Sequence, residues 1–120
     1  MGRKDRQIKT RGYRIELDEV EAALVGHPQV EEAAAYGVPL AGGSQQIEAA
    51  VILKPDGGLD EAELKRQVAE RLPAYAVPER VAIAPSFPRT TSGKIDRRTL
   101  QTQAIARLQA AAESREPSTI

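Results

Sequence analysis

From Gln7 to Leu17 apolar and polar residues alternate in two short pieces, with Ile8, Tyr13 and Ile15 as the apolar contributors and Thr10-Arg11-Gly12 between them. Alternation broken by such a triplet predicts two extended segments around a turn, and Gly12 permits the positive dihedral that a hairpin turn often requires. The period then changes. Val20, Ala23, Leu24 and His27 share one helical face, Asp18 and Glu21 stand at capping-box spacing with Asp18 as the predicted N-cap, and Pro28 ends the run.

Residues 30–39, "VEEAAAYGVP", read as a strand followed by the loop "LAGGSQQ". The stretch 47–55 is nearly all apolar and rich in β-branched residues, which predicts the central strand of a sheet. After the turn "DGG", Asp60 and Glu63 repeat the capping-box spacing before a helix with Leu64, Val68 and Leu72 on one stripe, stopped by Pro73. A bend at Pro78 leads to a short strand over Val81 and Ile83, and the aperiodic segment from Pro85 to Asp96 reads as a mobile loop. From Arg97 a last helix aligns Leu100, Ala104, Leu108 and Ala111, ahead of a frayed tail. The order β-β-α-β-β-α-β-loop-α predicts an α+β fold: one small sheet with an N-terminal β-hairpin and helices packed on it.

Composition narrows the function classes. Aromatic residues are only 3% of the chain, so the core must come from Ala, Val, Ile and Leu, and docking onto a larger partner is expected. The 17 basic residues cancel the 17 acidic ones, which argues against a dedicated nucleic-acid or membrane-surface binder. One Phe and three Tyr are too few for a base-stacking platform. With no cysteine and a single histidine, thiolate chemistry and a histidine metal cluster are excluded, and no metal site is expected. No apolar run has membrane-spanning length and the first residues do not form a signal peptide, so a soluble, cytoplasmic protein is the expectation.

Charge is balanced globally but not locally. Arg3, Lys4, Arg6, Lys9, Arg11 and Arg14 face Asp5 alone in the first fourteen residues, and Arg89, Lys94, Arg97 and Arg98 face Asp96 near the other end. These segments either converge on one anion or are ordinary solvated loops. Ser92-Gly93-Lys94 is not a Walker loop, because Pro88 stands where the first glycine belongs and Ile95 follows the lysine. His27 fits a capping or packing role. Glu16, Asp18, Glu19 and Glu21 are accounted for by helix-start preferences.

Two longer stretches carry more. "GRKDRQIKTRGYRIELDEVE" at 2–21 resembles the hinge motif of adenylate-forming enzymes, and "TSGKIDRRTL" at 91–100 resembles their C-terminal lysine motif. "LPAYAVPERV" between them is also typical, and residues 2 to 100 align with the C-terminal subdomain of this family. Its members include nonribosomal peptide synthetase adenylation domains, acyl-CoA synthetases and luciferases. The hinge region is most similar to the peptide synthetase branch, while the "TTSGK" form also occurs in acyl-CoA and fatty-acyl-AMP ligases.

The resemblance implies a ligase that activates a carboxylic or amino acid with ATP and Mg2+ as an acyl-adenylate, then passes it to a thiol. That thiol belongs to the phosphopantetheine of a peptidyl or acyl carrier protein, or to coenzyme A. By the family pattern Lys94 is the catalytic lysine, Asp5 the hinge and Arg3 the contact to the nucleotide ribose. Gly12 and Arg14 lie on a hairpin that lines the pantetheine tunnel, and Arg97 and Arg98 either help dock the carrier or are solvated. Residues 1–100 would be the subdomain, with the hinge at 2–6 and the lysine loop at 88–97, and residues 101–120 a C-terminal helix and tail or linker. The partners would be the N-terminal adenylation subdomain and the carrier protein, with no nucleic acid or membrane. ATP and Mg2+ would sit mainly on that large subdomain, leaving this chain inactive alone. A non-catalytic interaction module with the same fold is the alternative.

Overall fold

The computed structural model describes residues 6–40 and 43–115, with side chains up to 111. Strands β1 (Gln7–Thr10) and β2 (Tyr13–Glu16) form a separate two-stranded hairpin, with Ile8 opposite Ile15 and Thr10 opposite Tyr13. Its two-residue turn has φ +53° at Arg11 and +84° at Gly12. Positive dihedrals at both positions suit the twist of the flanking strands, and the second is where glycine costs least.

Helix α1 (Leu17–Val25) starts directly after β2. The N-cap position is Glu16 and no side chain caps it, which corrects the expectation of an Asp18–Glu21 capping box. Asp18 and Glu21 are inside the helix, and both turn their carboxylates to tertiary partners. His27 is likewise beyond the helix: Gly26 is the C-cap, and His27 Nδ1 accepts from the Gln29 amide at 3.0 Å in the following turn.

A second sheet has the order β3-β4-β5, built from β3 (Val30–Pro39), β4 (Gln45–Leu53) and β5 (Arg80–Ile83). β4 is central as expected, antiparallel to β3 and parallel to β5, though it begins at Gln45 and ends before Pro55. The parallel step is made possible by α2 (Glu61–Ala69), which crosses between β4 and β5. Here the predicted capping box is present: Glu63 N donates to Asp60 Oδ1 at 2.9 Å and Asp60 N to Glu63 Oε1 at 3.1 Å. α2 ends at Ala69 with Glu70 as its C-cap, ahead of Pro73, so Leu72 lies beyond the helix, and a short 3-10 turn, Ala74–Ala76, follows the proline.

Both faces of the central sheet are covered. Ala33, Ala35, Ile47, Val51 and Val81 pack against Val20 and Leu24 of α1 and Leu64 and Val68 of α2, with Ile15 of the hairpin joining them. On the other face Ala34, Tyr36, Val38 and Ala50 meet Phe87 and the last helix, α3 (Arg97–Arg115), through Leu100 and Ala104. Alanines on β3 and β4 keep the layers close, and each fully buried Leu or Val contributes about 1.5–3 kcal/mol. α3 passes residue 100 without a break.

Candidate functional site

Lys94 lies in the segment between β5 and α3, and that segment is more ordered than its lack of periodicity implies. Phe87 is buried at its start, Arg89 and Ile95 form an isolated antiparallel bridge, and Thr90 N donates to Lys94 O at 2.8 Å. Gly93 N returns to Thr90 O at 2.9 Å and Asp96 N to Pro88 O at 2.8 Å. Gly93 has φ +88°, so the turn carrying the lysine needs glycine there. The segment is a loop, as expected, and these hydrogen bonds close it. A single bridge between two residues has no strand length in which a period could show. The Lys94 side chain is exposed and has no carboxylate partner among the described residues.

Asp96 closes the loop onto α3. Its Oδ1 accepts from Thr99 N at 3.1 Å and its Oδ2 from Thr99 Oγ1 at 2.8 Å, an N-cap arrangement. The hydroxyl bond from Thr99, then the amide bond, hold this carboxyl below its ordinary 3.8. On the loop's other arm Arg89 Nη2 reaches Glu32 Oε1 at 2.7 Å.

The residue after Asp96 belongs to a partly buried ion network centred on Glu21. Arg97 donates from Nε to Glu21 Oε2 and from Nη2 to Glu21 Oε1, both at 2.7 Å. Glu21 Oε2 also accepts from Ala35 N at 2.7 Å and Arg6 Nη1 at 3.1 Å. Arg6 in turn bonds Asp18 Oδ1 at 2.5 Å and the Ala35 carbonyl. The bond to Glu21 raises the Arg97 pKa against the opposing effect of burial. Ala35 lies on β3, an edge strand, so Glu21 and Arg6 satisfy backbone groups that no neighbouring strand pairs. Gln101 does the same for the Gly37 carbonyl at 2.6 Å. The two basic segments of the sequence thus do converge on one anion, and it is internal. Arg97 is engaged here, while Arg98 remains exposed.

Gly12 is at the tip of the hairpin, where an added Cβ would meet nothing within 4 Å. The tip is tied to the body by Arg11, whose Nη2 is 2.7 Å from Glu79 Oε2, and by Tyr13, whose ring stacks on Tyr75 at 3.8 Å. Arg14 is exposed and stands directly opposite Lys9, and no carboxylate among the described residues pairs with either. Like charges opposite one another in a hairpin repel, so an anion is the natural neighbour of this pair. Arg3 and Asp5 lie outside the described residues.

The structure does not bring Lys94 and Gly12 together. The lysine loop follows Phe87 on the α3 face and is anchored to Glu32 near the start of β3. The hairpin packs through Ile15 on the α1–α2 face and is anchored beside the starts of β4 and β5, at Ser44 and Glu79. They occupy opposite faces, toward opposite ends of the sheet. Among the described residues no cluster of acids or histidine could hold a metal ion, and no helix is long and apolar enough to cross a membrane.

A family profile described as the AMP-binding enzyme C-terminal domain matches residues 19–94. A dimodular nonribosomal peptide synthase of Bacillus subtilis is 46% identical over 100 residues, 83% of this chain and 4% of that protein. An L-proline–[L-prolyl-carrier protein] ligase of Pseudomonas fluorescens is 42% identical over 103 residues, 86% of this chain and 20% of the ligase. Among solved structures, an acyl-CoA synthetase of Brucella canis superposes with a TM-score of 0.79 at 37% identity, over 90% of this chain and 20% of that one. The chain therefore spans a fifth or less of the length of these relatives.

Proposed function

This chain belongs to the family of AMP-binding enzyme C-terminal domains, and from that premise we propose that it is the mobile C-terminal subdomain of an ATP-dependent adenylate-forming ligase. In this reading a large N-terminal subdomain holds ATP, Mg2+ and the acid. An oxygen of the substrate carboxylate attacks the α-phosphorus, pyrophosphate leaves, and acyl-AMP forms. A phosphopantetheine thiol on a carrier protein then attacks the acyl carbon and AMP leaves with the bonding electrons.

Lys94 acts in the first step. Its ammonium, which pairs with no carboxylate among the described residues, stabilises negative charge developing between the attacking oxygen and the α-phosphate. Gly12 and Arg14 act in the second, where the hairpin borders the passage of the pantetheine arm. Arg3 contacts the ribose, and Asp5 is the pivot about which the subdomain turns. The observation that carries this reading is that the lysine turn packs through Ile95 against one face of the three-stranded sheet, while the hairpin bearing Gly12 packs through Ile15 against the other. Two functional elements that cannot face one site together suit a body that rotates between half-reactions. A carrier protein as acceptor is favoured by the prolyl-carrier protein ligase at 42% identity. Coenzyme A is the second reading, favoured by the Brucella acyl-CoA synthetase.

The test is Lys94→Ala in a complete enzyme carrying this chain. Loss of one charge-assisted contact to a transition state should slow ATP–pyrophosphate exchange by about a hundred- to a thousandfold. Transfer of preformed acyl-adenylate to the thiol should persist. Less than about a threefold loss in exchange sinks the catalytic role and leaves an interaction module of the same fold. The chain by itself should be inactive.

A further inference from the structure

Four hydrogen-bond donors converge on the two carboxylate oxygens of Glu21: Arg6 Nη1, Ala35 N, Arg97 Nε and Arg97 Nη2. They come from the segment before β1, from the edge strand β3 and from the first residue of α3. Only an ionised carboxylate supplies acceptors alone in that number. An amide of the same shape would turn an NH2 donor against donors. The Glu21 side chain is 12% exposed, so its ionic bonds are only weakly screened by water.

The placement of these donors along the chain gives Glu21 a reach beyond packing. Arg97 is three residues after Lys94, and Asp96 between them is bound to Pro88 O and to Thr99. The outgoing end of the lysine turn is therefore tied to the body by the Arg97–Glu21 ion pair, while the incoming end is tied by Arg89 to Glu32. Arg6, the first described residue, directly follows Asp5, the residue assigned as the pivot, and is the last of the hinge segment 2–6. One carboxylate thus joins the pivot-side segment to the lysine turn.

We propose that Glu21 is a positioning residue for Lys94: through Arg97 it sets the lysine turn, and through Arg6 it makes that turn move as one piece with the chain leaving the pivot. This rests on the reading of Lys94 as the catalytic lysine. Lys94 touches the reacting atoms in that reading; Glu21 acts only through the turn.

Two measurements on the same variants test it. In a complete enzyme carrying this chain, Glu21→Gln should accelerate amide hydrogen exchange at Gly93, Lys94 and Asp96 by about tenfold, while α2 amides such as Leu64 keep their protection. Unchanged exchange in the turn overturns positioning whatever Lys94 does. In pyrophosphate exchange, Glu21→Gln should lower kcat by about tenfold with little change in the KM for ATP. Adding it to Lys94→Ala should slow that variant no further. Losses that multiply mean that Glu21 acts on general stability, and the proposal fails. Should Glu21→Gln fold poorly, Arg97→Lys replaces the bidentate fork with a single ammonium at a half-exposed position and should give the same pattern, weaker. A Lys94→Ala variant without effect, combined with faster exchange in the turn, sinks the catalytic reading alone and leaves the turn's anchorage standing.

Discussion

Arg107, midway along α3, closes on Glu48 of the central strand, its Nη2 2.7 Å from Oε1 and 2.9 Å from Oε2. The Glu48 side chain is 2% exposed and that of Arg107 39%, so an otherwise buried carboxylate depends on a cation that is still partly in water. The pair tethers the helix that follows the lysine loop to the middle of the sheet. Burial first, and the Glu48 charge second, raise the pKa of the neighbouring Tyr36 phenol.

Removing the cation should cost more than removing the charge. Arg107→Ala leaves the carboxylate buried with only the 3.4 Å hydrogen bond from Gln46 Nε2, for which about 3 kcal/mol is expected, the low end for a broken buried pair because water reaches the site from the Arg107 side. Glu48→Gln keeps an acceptor and should lose about 1 kcal/mol. Urea denaturation of the two variants checks the order. A loss under about 0.5 kcal/mol for Arg107→Ala would mean that the pair behaves as a surface ion pair.

Gly12 combines a backbone requirement with open space around its α-carbon. Gly12→Ala should destabilise by about 1–2 kcal/mol, the cost of a left-handed dihedral, with Gly12→Asn losing less because Asn tolerates that conformation. In a complete enzyme, Gly12→Asn should then retain pyrophosphate exchange and slow thioester formation. Equal loss in both half-reactions would refute a role confined to the second.

Acid should loosen the start of α3. Asp96 is held below 3.8 in the folded chain, so the unfolded state takes up its proton first as pH falls. The stability it contributes is fully present above 3.8 and disappears as pH drops through the lower folded value. Far-ultraviolet circular dichroism on acid titration should show this component in the native chain. Asp96→Asn keeps a capping oxygen but cannot titrate, and its profile should lack that component; identical profiles would remove Asp96 from the acid transition.

Local physics wrote much of this protein into its sequence. Gly12 marked the hairpin turn because a positive dihedral is cheap only there. Asp60 and Glu63 marked the start of α2 because a reciprocal cap needs nothing beyond four consecutive residues. The apolar, β-branched run at 47–55 announced the central strand, which spans Gln45–Leu53, since a strand covered on both faces can be so uniformly apolar. The lysine and hinge motifs were legible too, as long strings with a family resemblance.

What the sequence could not show is which charges meet. Asp18 and Glu21 have the same spacing as Asp60 and Glu63, yet one pair caps a helix and the other binds arginines. The difference is tertiary: β2 runs into α1 without a loop, the free edge of β3 lies alongside, and Arg6 and Arg97 arrive from 15 residues before Glu21 and 76 after it. Charge pairing across such separations depends on where the folded backbone puts each side chain. The same holds for Glu48 and Arg107, 59 residues apart. Hydrophobic period and turn chemistry act between near neighbours and determined the elements; the ion pairs that hold the lysine turn and α3 in place were decided only when those elements packed.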